Sequence, residues 1–164
     1  MTNPFIPDTF DPPLYFDSAD FYFVVLEEQV AKFDFDAVMS SQQRLQGIFG
    51  PGSQWPKSDM TLDENIESLQ VHKKEFESRL AFAYSVFNES KDKCLGSVYI
   101  DPSQSPSYDC EVYLWIRDDS IDLDKVLYET VLIWLQEQWP FSRIAFPGRS
   151  ISWACWASEI KSVG

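Results

Sequence analysis

The sequence predicts a single α/β domain (an α+β arrangement) in which helices pack on a mixed sheet. Three observations carry this. The segments follow one another as β, α, α, β, β, β, α, β. Residues 107–149 read as strand, charged turn, apolar helix, strand, the length of a crossover between parallel neighbours. Within that stretch residues 108–117 alternate strictly: Cys110, Val112, Leu114 and Ile116 form one face, and Asp109, Glu111, Tyr113, Trp115 and Arg117 the other. The first is a core face. The second mixes carboxylates with large rings and reads as a cleft lining.

Taken in order, residues 1–20 form an extended arm rich in Pro, Asp and Phe, and residues 21–164 form the domain. Residues 21–27 are a first strand. Asp34 and Asp36 are cap candidates for a helix over residues 37–49, which Gly50-Pro51-Gly52 ends. A loop with Trp55-Pro56 precedes Thr61, which opens a second helix with a capping box, since Glu64 stands three residues on. Its apolar stripe is Leu62, Ile66, Leu69 and Phe76, with Leu80 at the exit. Residues 80–87 and 94–100 are strands of a hairpin, and 101–107 is a loop with Pro102 and Pro106. Asp122 is the expected N-cap of the next helix, residues 123–138, which is apolar on most sides. Residues 143–146 are a strand, and 151–156 read as one more short strand.

Composition narrows the function. The 164 residues carry 45% hydrophobic and 16% aromatic side chains, enough for a sizeable core. A net charge of -13 with no basic cluster argues against nucleic acid and against anionic membranes. No apolar run is long enough to span a bilayer, and the first residues lack the pattern of a secretory signal. Cys94, Cys110 and Cys155 are dispersed, form no CxxC and read as core residues of a protein in the reducing cytoplasm. His72, the only histidine, stands one turn from Leu69 and Phe76 at a boundary position, and no ligand spacing supports a metal site. A Ser-His-Asp set, a Walker loop and a dinucleotide fingerprint are all absent. Trp55, Trp115, Trp153 and Trp156 form either an aromatic pocket for a cationic amine or core and rim. Gly148-Arg149 either binds an anion or closes a turn.

The order of elements, with Phe82-Ala-Tyr-Ser-Val-Phe87, Cys94-Leu-Gly-Ser-Val-Tyr-Ile100 and Glu111-Val-Tyr-Leu-Trp-Ile116, resembles the GNAT superfamily of N-acetyltransferases over about residues 20–150. It is similar to a bacterial subgroup sharing runs like WPFSRIAFPGR. The resemblance implies a mostly antiparallel sheet with a splayed parallel strand pair, helices on both faces, and acetyl-CoA in the splay. It implies Glu111 as general base, the plainer reading being a carboxylate at the cleft edge, and Tyr113, Tyr128 or a water as proton donor to the thiolate, the two rings otherwise only packing. Trp115, Ile116, Arg117 and Ser120 would bind the cofactor at the strand end and the loop after it. The acceptor would be a small-molecule or protein amine, and by family habit the protein would be a homodimer.

The sequence departs from the family at one point. Between Arg117 and Leu127 there is no glycine; Asp118, Asp119, Asp122 and Asp124 stand where a glycine loop would present N–H groups to a pyrophosphate. Like charges at that range cost on the order of 1 kcal/mol per pair. The rival expectation is therefore a non-catalytic ligand- or protein-binding module that has lost the CoA phosphate loop, and a second alternative is an acyltransferase whose donor lacks a nucleotide phosphate.

Overall fold

The computed structural model describes residues 4–161. Eleven elements follow in order: β1 (Tyr15–Asp17), β2 (Tyr22–Val25), α1 (Ala31–Ser40), α2 (Gln42–Leu45), α3 (Leu62–Glu77), β3 (Phe82–Phe87), β4 (Cys94–Pro102), β5 (Cys110–Ile116), α4 (Asp124–Gln138), β6 (Ile144–Ala145) and α5 (Trp153–Lys161). The strands form one six-stranded sheet in sequence order. Neighbours are antiparallel from β1 to β5, and β5 and β6 are parallel.

Alternation along the strands feeds two cores. On one face Val98, Val112, Leu114 and Ile116 meet Leu127, Val131 and Trp134 of α4, with Phe5, Phe10 and Phe16 of the N-terminal arm packed against them. On the other, Tyr99, Tyr113 and Trp115 meet Ala37 and Val38 of α1 and Leu69 of α3. Both faces are thus covered, and β3 and β5 are buried along their whole length. The Tyr113–Trp115 face, read as a cleft lining, is mostly core.

Thr61 caps α3 as expected: its hydroxyl accepts from the Glu64 N–H at 3.1 Å, and the Glu64 carboxylate accepts from the Thr61 N–H at 3.2 Å. Thr61→Ala is expected to cost about 1 kcal/mol in urea-induced unfolding.

Several elements differ from the sequence reading, for local reasons. The arm contributes β1, an edge strand on β2, instead of only lying extended on the domain. The first helix begins at Ala31, so Asp34 is a buried residue inside α1 and not its cap. Leu80 lies after the helix and is exposed. A 3-10 segment, Asp118–Leu123, precedes α4, so Leu123 and not Asp122 is the N-cap. Cys155 is exposed, unlike Cys94 and Cys110. The tail expected as a strand is the helix α5; short apolar runs do not separate the two periods. The hairpin strand continues through Asp101 to Pro102 where a loop was expected, and Asp101 pairs with Glu111.

Candidate functional site

The sheet opens between β5 and β6. The two strands pair only at Cys110–Ile144 and Glu111–Ala145. That end is clamped by Asp109, whose carboxylate accepts from the Ser142 and Arg143 N–H groups at 2.9 Å each and from the Arg143 guanidinium at 2.8 Å. Those bonds hold its carboxyl well below the usual range. Beyond Ala145 the chain turns away: Pro147 bridges to Ile151, and Gly148 sits at φ 84 with its N–H on the Ile151 carbonyl. The opening is a cleft of about 270 Å³ between Gly47 and Ile48 after α2, Val112 and Leu114 of β5, and Gly148 and Arg149.

Two arginines hold the free edge of β5. Arg149 donates to the Leu114 carbonyl at 3.3 Å and pairs with Asp124 at 2.6 Å. Arg44, from α2, donates to the Ile116 carbonyl and pairs with Asp118. Both line the cleft. Three of the four loop carboxylates are therefore paired: Asp118 with Arg44, Asp124 with Arg149, and Asp119 with Lys93 at 3.0 Å and with Arg117, at the start of the loop, at 2.8 Å.

The residues expected to bind a cofactor are placed as follows. Arg117 turns inward, bonded also to Asp36 at 3.2 Å and to the Cys94 carbonyl at 3.1 Å, and is buried. Trp115 is fully buried, with its indole N–H on the Tyr99 hydroxyl at 3.0 Å. The Ile116 side chain is core, while its carbonyl takes Arg44. The Ser120 N–H is spent on the Arg117 carbonyl at 3.0 Å, and the Asp118 N–H on the Ser41 hydroxyl at 2.8 Å.

Glu111 and Tyr113 stand together at the closed end of the opening. The Tyr113 hydroxyl donates to the Glu111 carboxylate, which also accepts the Gln104 N–H at 2.8 Å and its side-chain amide at 3.1 Å. Burial, and then this bond, push the Tyr113 hydroxyl far up. Tyr128 is elsewhere: it packs edge-on to Phe146 at 4.8 Å, on the α4 side of the sheet.

Across the ladder from Glu111, Asp101 opens into a second cavity of about 320 Å³, walled by Phe49, Trp55 and Tyr99 and reached by His72 and Asp34. The Asp101 carboxylate has no hydrogen-bond partner among the described residues. Burial, then the charges of Glu111 and Glu75, push its pKa up to about 7. Asp34, bonded to Asn65 at 2.9 Å, is fully buried and pushed up to about 6. Desolvation lowers His72 despite Glu75 beside it. Of the four tryptophans considered for an aromatic pocket, Trp55 lines this one, and Trp153 and Trp156 line another. No group of three His, Cys, Asp or Glu among the described residues is placed to hold a metal, and no helix among them is long and apolar enough to cross a membrane.

Asp101 and Arg44 were missed from sequence. The alternation Ser97, Tyr99, Asp101 pointed to the first. Nothing local marked Arg44, which is 72 residues from the carbonyl that it holds.

No protein-family model matches the chain, and no curated protein matches it significantly. Solved structures do. A Vibrio cholerae protein assigned as a ribosomal-protein-serine acetyltransferase superposes with a TM-score of 0.64 at 15% identity, covering 82% of this chain and 74% of that one. The ribosomal-protein-S5-alanine acetyltransferase of Vibrio fischeri gives 0.62 at 13%, covering 92% and 81%. The ribosomal L7/L12 α-N-protein acetyltransferase RimL, in complex with coenzyme A, gives 0.56 at 13%, covering 76% and 67%. The six-stranded sheet with one parallel, splayed pair and helices on both faces is thus the fold of the GNAT acetyltransferases.

Proposed function

We propose that this protein transfers an acyl group from a CoA thioester to an amine. The observation that carries the reading is the meeting of two sites: the β5–β6 opening, and a carboxylate of raised pKa, Asp101, paired in register with Glu111 where that opening closes. The opening suits the donor. An extended pantetheine can lie along the free edge of β5, and Arg44 and Arg149, which offset Asp118 and Asp124, put guanidinium N–H donors at the cleft where the glycine-free loop has few to offer.

The second cavity suits the acceptor, because aromatic walls and buried carboxylates favour an organic ammonium. Asp101 takes one proton from the ammonium. The freed nitrogen lone pair attacks the thioester carbonyl carbon; a C–N bond forms and the C–S bond breaks. The second N–H proton ends on the departing sulfur. With a pKa of about 7, Asp101 accepts a proton at neutral pH far better than an ordinary carboxylate would. Glu111, expected as base, is given a supporting role: its charge raises Asp101, and its oxygens hold Tyr113 and Gln104. The neighbours support either size of acceptor, since RimL acts on ribosomal L7/L12 and a spermidine N-acetyltransferase superposes with a TM-score of 0.53 at 13% identity.

A second reading has its own observation. Arg44 and Arg149 already bond the β5 carbonyls that pantetheine would use, so the same pair can act as a plug in a non-catalytic binding module. Calorimetric titration separates the two. A phosphate clamp predicts micromolar binding of acetyl-CoA, about -8 kcal/mol. It also predicts that Arg44→Ala and Arg149→Ala each weaken CoA about tenfold while leaving pantetheine, which lacks the phosphates, unchanged. A plug predicts tighter binding in both variants. Absence of heat up to millimolar acetyl-CoA would overturn the donor assignment.

A further inference from the structure

A third cavity, of about 490 Å³, lies beside the donor cleft. Its walls are Phe49, from the loop after α2, and Trp153, Trp156, Ala157 and Ile160 of α5. Helical spacing brings these α5 residues to one side, an arrangement that a strand at this position would not produce. Tyr113 and Trp153 line both this cavity and the donor cleft, and their rings stack at 6.3 Å and 14°. The two spaces therefore adjoin at the Tyr113–Trp153 pair. Among the described residues, the polar groups in the lining are the Tyr113 hydroxyl, the indole N–H groups of Trp153 and Trp156, and Gln104, whose amide is turned to Glu111. No charged side chain among the described residues lines it, so an ammonium finds no counter-charge there. The amine has such a site on the other side of Phe49, beside Asp101 and Asp34. Chemistry thus divides the two spaces around the transfer point: the acidic one for the acceptor, the apolar one for the donor's acyl group. An acetyl group would leave nearly all of the apolar space unfilled.

We infer that the preferred donor carries a medium-length aliphatic acyl chain, which lies along α5 between Trp153 and Ile160. The inference rests on the assignment of the β5–β6 opening to a CoA thioester. Ala157 keeps the groove open, because its side chain is small and exposed.

The test is titration of the full chain with acetyl-CoA, octanoyl-CoA and CoA. Complete burial of one methylene corresponds to roughly a fourfold gain in affinity. Six further methylenes, half covered in an open groove, are then expected to tighten octanoyl-CoA by about 60-fold over acetyl-CoA. Ala157→Trp should bring octanoyl-CoA to within about threefold of acetyl-CoA, with the thermal midpoint unchanged. Ile160→Asp, which places a charge beside the chain, is the second variant and should act in the same direction. Equal affinity of the two thioesters would overturn the chain-length inference and leave the donor assignment standing. So would a loss in Ala157→Trp common to both ligands. Failure of all three ligands to bind would overturn the donor assignment, and this inference with it.

Discussion

Asp101→Asn is expected to lower turnover on an amine acceptor by about 10²–10³-fold while raising stability above neutral pH. The two effects have opposite signs because one carboxylate causes both. Burial and the like charges of Glu111 and Glu75 raise its pKa from 3.8 to about 7. Between about pH 4 and pH 7 the folded protein therefore holds a proton that the unfolded chain has released. Stability from this group is greatest below its unfolded pKa and falls as pH rises through about 7. Asparagine removes that cost, so the gain is expected above pH 7, at about 2 kcal/mol once solvent access to this half-buried group is allowed for, and should vanish near pH 4. Thermal unfolding at pH 4 and pH 8, beside steady-state rates, reads both effects.

The same chemistry separates Asp101 from Glu111. The rate should rise with pH through about 7 as Asp101 ionises. Glu111→Gln removes one of the charges that raise Asp101, so the midpoint of that rise should move to lower pH. A profile that loses its rise altogether in Glu111→Gln would return the role of base to Glu111.

Gly96→Ala is expected to have the largest effect on folding. A Cβ at Gly96 would stand 1.9 Å from the Trp115 carbonyl oxygen and 2.9 Å from its carbon. Both are backbone atoms of β5, so no side-chain rotation relieves the clash. The central strands β4 and β5 would have to separate, although seven residue pairs join them and Trp115 and Ile116 are fully buried. The expected cost is at least about 3 kcal/mol, seen as loss of soluble protein or a large drop in the denaturation midpoint. Gly52→Ala, with nothing within 4 Å of the added carbon, serves as the neutral control. Equal behaviour of the two would show that β4 and β5 lie further apart at this point.

Arg44 and Arg149 show how a departure visible in sequence can mislead when it is read locally. Four aspartates in the loop before α4 look hostile to a pyrophosphate. In the fold, three of them are paired with basic side chains that come from α2, the turn before β4 and the turn after β6. The potential at the mouth of the cleft therefore depends on groups that no window around the loop contains.

Features set by neighbouring residues were legible in the chain before folding. The two-residue period of β5 placed Val112 and Leu114 on one face and Tyr113 and Trp115 on the other. The Thr61–Glu64 spacing set the start of α3. The order of strands and helices was enough to reach the fold. What lies opposite what was fixed by the way the strands and helices come together. Asp101 faces Glu111 because β4 continues two residues past Ile100 and pairs in register with β5. From Trp153 the tail is helical, which brought Trp153 and Ile160 beside Tyr113. Periodicity and capping act within a turn or a pleat, whereas a carboxylate of raised pKa, an offset acidic loop and an apolar groove are sums over segments that meet only once the core has closed.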